Sequence, residues 1–394
     1  MNTVTPAELR PPSAASTAAP AVAATARLTS LDAYRGFVML LMASEGLRIG
    51  QVAEHFKGSK VWEFLAYQTE HVAWVGCSLW DLIQPSFMFM VGVALPFSIA
   101  SRRAKGQSFQ QMLGHALWRS LALIGLGIFL RSVGRPQTYF TFEDVLTQIG
   151  LGYTFLFLLG WTKPKIQWLA AILILAGYWL AFALYPLPSG PDAYKAVGVS
   201  PDWPHLQEGF ARHWDKNTNL AAAAEQWFLN LFPREKPFVF NGGGYLTLSF
   251  VPSLATMIFG LLAGGWLKSG KLPTEKIKGL LVAGAAGLAL GWLLGALGIC
   301  PVVKRIWTPS WAIFAGGWTC LMLAAFFAVI DWKGWSRWSF PLVVVGMNSI
   351  AMYCMAHLID RFIADSLKIH AGRDVFKIVG DVYAPMVQSA VVLA

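Results

Sequence analysis

The sequence predicts an all-α protein, a polytopic membrane helix bundle of about ten transmembrane helices with a cytoplasmic N-terminus. Two observations predict this class. Hydrophobic residues make up 56% of the 394 residues and charged residues only 13%, and the mean hydropathy of +0.51 is too high for a soluble globular protein. Apolar runs of about 20 residues, the length that crosses roughly 30 Å of hydrocarbon, also recur along the chain.

Nine apolar runs are long enough to be membrane helices. In chain order they occupy residues 31–49, 75–100, 112–131, 144–161, 166–186, 244–267, 279–298, 310–330 and 341–366. A tenth and shorter run begins near Ile378. Between the fifth and sixth runs, residues 187–243 contain PLPSGPDAY, SPDWPHLQEGF and FPREKPFVFNGGG, in which Pro, Gly and Trp replace apolar periodicity. We expect this segment to be an extramembrane loop.

Residues 1–28 differ in composition from the rest of the chain. They are rich in Ala, Pro, Ser and Thr and lack the apolar core of a cleaved signal peptide. Such a segment buries too little apolar surface to offset the entropy of ordering, so we expect a disordered cytoplasmic tail. Residues 29–394 then form one transmembrane domain, with residues 187–243 as its outer loop.

Lysine and arginine side chains set the expected orientation, because they are retained on the cytoplasmic side of a membrane. If the helices alternate, one side carries SRRAKGQ, TKPK, KSGKLPTEKIK and DWKGWSR. That side is predicted to be cytoplasmic, although Lys304 and Arg305 lie on the other side and weaken the bias. The formal net charge of +10 is spread among apolar blocks and short loops, so we exclude nucleic acid as a partner.

The four cysteines carry no recognisable signal. Cys77, Cys300, Cys320 and Cys354 lie far apart, without metal-ligand spacing or the pattern of a disulfide framework. We therefore assign them no role and predict no metal site.

Several charged residues fall inside or beside the apolar runs, where an ionisable side chain costs at least about 2.5 to 3.5 kcal/mol. Asp32 and Arg35 share one helical face near the cytoplasmic end of the first run, where a local ion pair explains them as well as ligand binding does. Arg119 lies about two turns inside the third run, which snorkelling explains less well. Together with Arg102 and Arg103, Arg35 and Arg119 could form a basic mouth for a phosphorylated ligand.

A histidine and an aspartate mark the outer end of the second run. Ten residues separate His71 from Asp81, about 15 Å on a helix, so the two act on one atom only if the chain before Trp74 folds back. Histidine titrates near neutral pH and can take a proton from an amine or a hydroxyl. Read alone, Asp81 is more simply a structural group for the backbone polar groups freed by Pro85, and a lone interfacial histidine is often only solvated.

The last long run also contains polar residues. VVGMNSIAMYCMAH places Asn348, Ser349 and His357 in an apolar helix. Asn348 and Ser349 could serve only as hydrogen bonds between helices. His357 lies roughly 13 to 14 Å beyond Asn348 along a helix, and therefore nearer the outer face with His71.

Ordered motifs give a family resemblance. LDAYRGFVMLLM, HVAWVGCSLWDLIQPSFMFMVGVALPFS, LWRSLALIGLGI, QIGLGYTF, FNGGGYLTLSFVPSLATMIFGLLAG, KRIWTPSW and GMNSIAMYCMAH occur in this order within residues 31–360. Each motif is loose alone, and the ordered set is specific. The chain resembles the heparan-alpha-glucosaminide N-acetyltransferase family of transmembrane acyltransferases, as a bacterial-type member.

The resemblance implies a function and a location. It implies a transmembrane acyltransferase domain that takes an acetyl group from cytoplasmic acetyl-CoA and delivers it to an amino sugar, or to a sugar hydroxyl, on the periplasmic side. It further implies a multi-pass protein of the bacterial inner membrane, whose partners are the lipid bilayer and a sugar or oligosaccharide acceptor. A homodimer is left open, and so is the choice between direct transfer and an acetyl-histidine intermediate.

The resemblance also assigns residues. The family's active-site histidine, just before an Ala-Trp-x-Gly step, matches His71. Near the outer end of the first run the family usually has an asparagine, where this sequence offers Glu45, which cannot donate an amide hydrogen bond. We expect His71 and Glu45 to be catalytic, Arg35, Arg119, Arg102 and Arg103 to bind acetyl-CoA, and Trp74, Asp81, Asn348 and His357 to bind the substrate.

Other functions compete with acetyl transfer. A proton-coupled secondary transporter of a sugar or glycan precursor would use the same intramembrane charges. A membrane scaffold would leave so many charges within the spans unexplained. The aromatic residues of the outer segment, Trp203, Trp214, Trp227 and Tyr245, suit stacking on sugar rings and equally suit an interfacial aromatic belt.

Overall fold

The computed structural model describes residues 28–393, in which every regular element is a helix. The first half contains α1 (Thr29–Ala43), α2 (Ile49–Ala53), α3 (Lys60–Thr69), α4 (Ile83–Ala104), α5 (Phe109–Ser132), α6 (Val145–Leu159), α7 (Pro164–Leu184) and α8 (Pro191–Ala196). The second half contains α9 (Leu220–Leu229), α10 (Phe250–Lys268), α11 (Pro273–Ala296), α12 (Pro309–Phe326), α13 (Phe340–Met347), α14 (Ser349–Leu358), α15 (Asp360–Ala371) and α16 (Ala384–Leu393). The predicted disordered tail lies outside the described residues, apart from Leu28.

The architecture is an all-α membrane helix bundle, as predicted. Within residues 28–393, six segments are long and apolar enough to cross a membrane: Trp80–Ala104, Phe109–Ser132, Pro164–Leu184, Thr247–Lys268, Pro273–Ala296 and Pro309–Trp332. A seventh span is formed if α13 and α14, which meet at a bend of 71°, are counted together. The protein is therefore a multi-pass membrane protein, while the count of about ten spans stays a prediction.

Two of the predicted spans are shorter than expected. α1 and α6 each contain 15 residues, a length of about 22 Å, which is less than the thickness of the hydrocarbon layer. α1 ends because Glu45, Gly46, Leu47 and Arg48 all have a positive φ, a conformation that a right-handed helix cannot continue through. α6 begins directly after Asp144, whose carboxylate caps the N–H groups of Leu146 and Thr147.

Glycines set the closest helix contacts. A Cβ on Gly92 would lie 1.9 Å from the carbonyl oxygen of Met257, and one on Gly260 would lie 1.9 Å from that of Phe89. α4 and α10 thus pack backbone to backbone, as small residues allow in membranes. α1 and α13 meet in the same way, because a Cβ on Gly346 would lie 1.9 Å from the carbonyl oxygen of Asp32. These contacts fix the helices that surround the cavities described below.

The segment 187–243 is folded against the helix ends rather than extended. The Tyr194 hydroxyl donates to Asp215 Oδ2 at 2.7 Å, and the Asn217 side chain donates to the carbonyls of Val197 and Asn241. Trp214 is fully buried and packs near Phe182 of α7. Trp214 is therefore part of a core and cannot stack on a sugar.

The predicted orientation can be tested at two exposed positions at opposite ends of α4. Ser200 lies in the segment that packs on Trp74, through the Trp74–Trp203 ring contact at 5.9 Å, and Lys105 follows the other end of α4. We expect Ser200→Cys to react with a membrane-impermeant thiol reagent in intact cells and Lys105→Cys to react only after permeabilisation. The background should carry serine at Cys77 and Cys354, which are partly exposed. The reverse labelling pattern would invert the orientation.

Candidate active site

The chain between α3 and α4 folds back instead of continuing as a helix. Gly76 N donates to the carbonyl of Val302 at 3.0 Å, and Val75 pairs with Val303 in an isolated antiparallel bridge. Ser78 Oγ donates to the carbonyl of Glu70 at 2.6 Å and closes the loop on itself. Residues 70–79 thus depend on a stretch of chain more than 200 residues away.

This fold-back corrects the expected separation of His71 and Asp81. His71 Nδ1 lies 2.7 Å from Asp81 Oδ1, not the roughly 15 Å of a continuous helix. Asp81 was expected to satisfy backbone groups freed by Pro85, yet its Oδ2 accepts hydrogen bonds from the N–H groups of Val72 and Ser78 and from the Ser78 hydroxyl. Its side chain is only 1% exposed. Asp81 is therefore a buried hydrogen-bond partner that holds the His71 ring in position.

Lys304 is the third member of the site, and the sequence interpretation missed it. Its Nζ lies 3.4 Å from Asp81 Oδ1 and 3.1 Å from His71 Nδ1. Burial lowers the pKa of Lys304 to about 8, although Asp81 opposes the shift. The only sequence signals were the KRIWTPSW motif and the fact that Lys304 and Arg305 break the charge bias of the loops.

The loop that carries Lys304 is held by its own hydrogen bonds. Thr308 Oγ1 donates to the carbonyl of Pro301 at 2.7 Å and accepts from Val303 N at 3.0 Å. The Arg305 guanidinium donates to the carbonyls of Gly243 and Val72 at 2.6 and 3.2 Å. The lysine therefore reaches Asp81 from a rigid loop that also ties the outer segment to the His71 loop.

The electrostatics favour a neutral imidazole at His71. Burial lowers the pKa of His71, the hydrogen bond to Asp81 partly opposes this, and the cations of Lys304 and Arg305 lower it further. When Nδ1–H donates to Asp81, the lone pair lies on Nε2, the arrangement that a general base or a nucleophile requires. Asp81 thus fixes both the tautomer and the direction of the ring.

His71 faces a cavity of about 290 Å³ at the end of the bundle where residues 187–243 pack. The cavity is lined by Met42, His71, Trp80, Ile83, Gln84, Arg131, Glu143, Asp144, Val145, Tyr245, Lys304, Tyr353 and His357. His357 and His71 therefore line the same cavity. The Nδ1 atom of His357 lies 2.9 Å from the Tyr353 carbonyl oxygen. We call this space the histidine cavity.

A second and larger cavity, of about 510 Å³, contains two of the predicted arginines. Its walls include Arg35, Met39, Phe87, Val91, Leu95, Ser98, Arg119, Leu123, Ile149, Tyr153, Asn348 and Tyr353. Arg35 Nη1 pairs with Asp32 at 3.2 Å, and the Arg119 guanidinium lies 4.8 Å from the centre of the Tyr153 ring. We call this space the arginine cavity.

The two cavities are stacked along the same helices. α1, α4, α5, α6 and α14 line both, and Val145 and Tyr353 are common to the two. On α5, Arg119 faces the arginine cavity and Arg131 the histidine cavity, about 18 Å apart at 1.5 Å per residue. The two cavities therefore share a wall that contains Val145 and Tyr353.

The structure places other predicted site residues elsewhere. Glu45 lies in the left-handed turn after α1, where it pairs with Arg48 at 2.7 Å and its side chain is 60% exposed; it does not line the histidine cavity. Trp74 is 1% exposed and donates to the carbonyl of Trp214 at 3.1 Å. It packs against residues of the 187–243 segment and is not among the residues that line the histidine cavity.

The two arginines at the end of α4 also lie outside the arginine cavity. Arg102 donates to Gln107 at 3.1 Å, and its Nη2 lies 2.7 Å from His115 Nε2. Arg103 lies over the ring of Trp161, 5.7 Å from its centre. Of the four predicted arginines, Arg35 and Arg119 are therefore the pair that the fold brings together.

Fold and site together define a multi-pass helical membrane protein in which a partly exposed histidine meets a buried aspartate and a buried lysine, between the 187–243 segment and a stacked pair of cavities. The chain is 26% identical over 378 aligned positions to the heparan-alpha-glucosaminide N-acetyltransferase of Homo sapiens, and 25% identical to that of Mus musculus. The matches cover 85% of this chain and 53% and 54% of those proteins. This chain thus spans about half the length of the curated relatives it matches.

These comparisons confirm the similarity to the heparan-alpha-glucosaminide N-acetyltransferase family that the ordered motifs predicted. No family model matches the chain.

The influence of Lys304 on His71 gives a prediction. Replacing Lys304 with methionine removes a cation beside the imidazole, and it also removes the lysine's ion pair with Asp81, so that the carboxylate interacts more strongly with His71. The pKa of His71 should therefore rise. We expect the pH at which His71 reaches half of its maximal reactivity toward diethyl pyrocarbonate, followed by mass spectrometry of its peptide, to move upward. Lys195→Met is the control, because that side chain is 63% exposed and pairs with Asp192. An unchanged midpoint would show that Lys304 has no effect on the pKa of His71.

Proposed function

We propose that the protein is a transmembrane acetyltransferase that moves the acetyl group of acetyl-CoA, bound from the cytoplasm, to an amino sugar on the periplasmic side of a bacterial inner membrane. Residues 29–394 would form the acyltransferase domain. The observation that carries this proposal is the His71–Asp81 pair at 2.7 Å in a cavity stacked on the one that holds Arg35 and Arg119. The similarity to N-acetyltransferases supports the same chemistry.

The arginine cavity suits the donor. Acetyl-CoA carries its negative charge on phosphates at the nucleotide end, and arginine binds phosphate through charge-assisted hydrogen bonds. Arg35 and Arg119 lie on walls that are otherwise largely apolar, formed by residues such as Met39, Phe87 and Leu123. Such walls suit a thin, mostly neutral arm better than a second charged group.

In the histidine cavity, His71 acts as the general base. Its Nε2 removes a proton from the acceptor as the acceptor attacks the acetyl carbonyl carbon, and it then returns the proton to the leaving sulfur. Asp81 accepts the Nδ1–H bond and stabilises the imidazolium that forms, while Lys304 balances the buried carboxylate. His357, Trp80 and Tyr245 complete the wall around the acceptor.

The catalytic role is tested at His71. We expect His71→Ala to lower the turnover of acetyl-CoA with glucosamine by at least about 100-fold, the lower limit of what a general base contributes. The affinity for acetyl-CoA should stay within a few fold, because the role is chemical. The measurement is CoA release by the purified protein, with His55→Ala, an exposed histidine that precedes α3, as control. Retained turnover would exclude His71, and proton-driven sugar uptake in liposomes without CoA release would favour a transporter.

The donor site is tested at Arg119. We expect Arg119→Ala to weaken acetyl-CoA binding by about 1.5 to 3 kcal/mol, or roughly 10- to 150-fold in Kd, the effect of losing one charge-assisted hydrogen bond. Calorimetric titration of the full chain with acetyl-CoA measures this. Arg361→Ala is the matched control, because that side chain is 95% exposed on α15. If both variants bind acetyl-CoA with the wild-type Kd, the arginine cavity is not the donor site.

A further inference from the structure

Acetylation of an amine requires two proton removals, whereas acetylation of a hydroxyl requires one. Near neutral pH an amino group is largely ammonium, which has no lone pair and cannot attack a thioester. One proton must leave before attack and a second as the C–N bond forms. His71 holds a single proton at a time, so an amine acceptor calls for a second base in the same cavity.

Glu143 is the carboxylate in the right place. It lies in the loop before α6 and lines the histidine cavity together with His71. Its Oε2 accepts a hydrogen bond from Asn241 Nδ2 at 2.5 Å. Within residues 28–393, the hydrogen bond that the Glu143 carboxylate accepts is this one to Oε2, and Oε1 accepts none. One oxygen of the side chain is thus held in position while the other is left for a ligand.

The neighbouring carboxylates are occupied. Asp144 also lines the cavity, but its Oδ1 accepts the N–H groups of Leu146 and Thr147 and its Oδ2 accepts the Thr147 hydroxyl, as the cap of α6. Glu225 of α9 accepts Thr247 N at 2.7 Å and the Thr247 hydroxyl at 3.0 Å. Both are structural groups, which leaves Glu143.

The surroundings of Glu143 adjust its proton affinity. Burial raises the pKa of Glu143 to about 7, Arg131 of α5 and Arg234 of the outer segment lower it, and Asp144 raises it. Glu225 lies close enough for its own pKa to be raised by Glu143, and Tyr245 and His357 face the same cavity. A carboxylate with such a pKa can accept a proton from an ammonium and later release it to water.

We propose that Glu143 is the second base of this site: its carboxylate binds the ammonium of the acceptor and takes the first proton, which makes the protein selective for an amine over a hydroxyl. The inference rests on the proposed acetyl transfer. The protonated acceptor becomes R–NH2 as Glu143 becomes a carboxylic acid. The amine nitrogen then bonds to the acetyl carbon, the C–S bond breaks, and His71 carries the second proton from nitrogen to sulfur. Glu143 returns to a carboxylate by losing its proton to water.

The test compares Glu143→Gln with the wild-type full chain at two pH values. Glutamine keeps the acceptor for Asn241 but cannot take a proton. With acetyl-CoA and glucosamine, we expect kcat/KM of the variant to fall about 100-fold at pH 7, where about half of Glu143 is ionised and most of the amine is still protonated, and only a few fold at pH 9, where free amine is abundant. Glu235→Gln, an exposed carboxylate of the outer segment, should match the wild type at both pH values.

Each other outcome has a definite meaning. Equal losses at pH 7 and pH 9, or no loss at all, would overturn Glu143 as a base. Absence of glucosamine acetylation by the wild type at either pH would instead overturn the proposed function. If Glu143→Gln fails to bind acetyl-CoA and is therefore misfolded, Asn241→Ala decides: loss of its hydrogen bond to the carboxylate should move the acid limb of the pH profile upward, and an unmoved limb would overturn the proposal.

Discussion

The buried carboxylate of Asp81 is the group on which the outer end of the protein depends. An uncompensated charge in such a place costs several kcal/mol, so the chain must surround it with donors and cations. The donors are backbone and side-chain groups of Val72 and Ser78, and the cations are His71, when protonated, and Lys304. These groups come from loops more than 200 residues apart. Satisfying Asp81 therefore docks the two loops and, in the same step, orients the imidazole.

Helix packing beneath this cluster defines the cavity walls. Gly92 and Gly260 bring α4 against α10, and Gly36 and Gly346 bring α1 against α13, at distances where no Cβ would fit. α1, α4 and the α13–α14 pair are thus held by backbone contacts, which vary less than side-chain contacts do. The left-handed turn at Glu45 then ends α1 early, and the bend of 71° between α13 and α14 breaks the last long span. The early end of α1 and the bend between α13 and α14 both affect the shape of the two cavities, because these helices line them.

The sequence was sufficient for the fold class and for the placement of Arg35 and Arg119 in one region, because apolar run length and in-span charges are local signals. His71 was assigned through the family resemblance, and its catalytic role stays a proposal. It was not sufficient for the contact of Asp81 with His71, since that contact depends on the pairing of Val75 with Val303. Lys304 was missed for the same reason. Glu45 was assigned to the site because it stands where the family usually has an asparagine, but the left-handed turn after α1 leaves it outside the histidine cavity.

The order of charged and apolar groups along the bundle explains how a group could cross without its carriers. The arginine cavity contains Arg35 and Arg119, and the histidine cavity contains His71, Lys304 and Glu143. The wall between the two cavities includes Val145 and Tyr353. Arg131 and Lys304 also line the histidine cavity, but Val145 and Tyr353, the residues common to both cavities, offer neither a phosphate nor an ammonium a charged partner. A neutral acetyl thioester on a narrow arm faces no such penalty. On the proposed function, the barrier between the cavities is therefore selective by charge, and it admits the reacting group while excluding both the bulk of the donor and the acceptor.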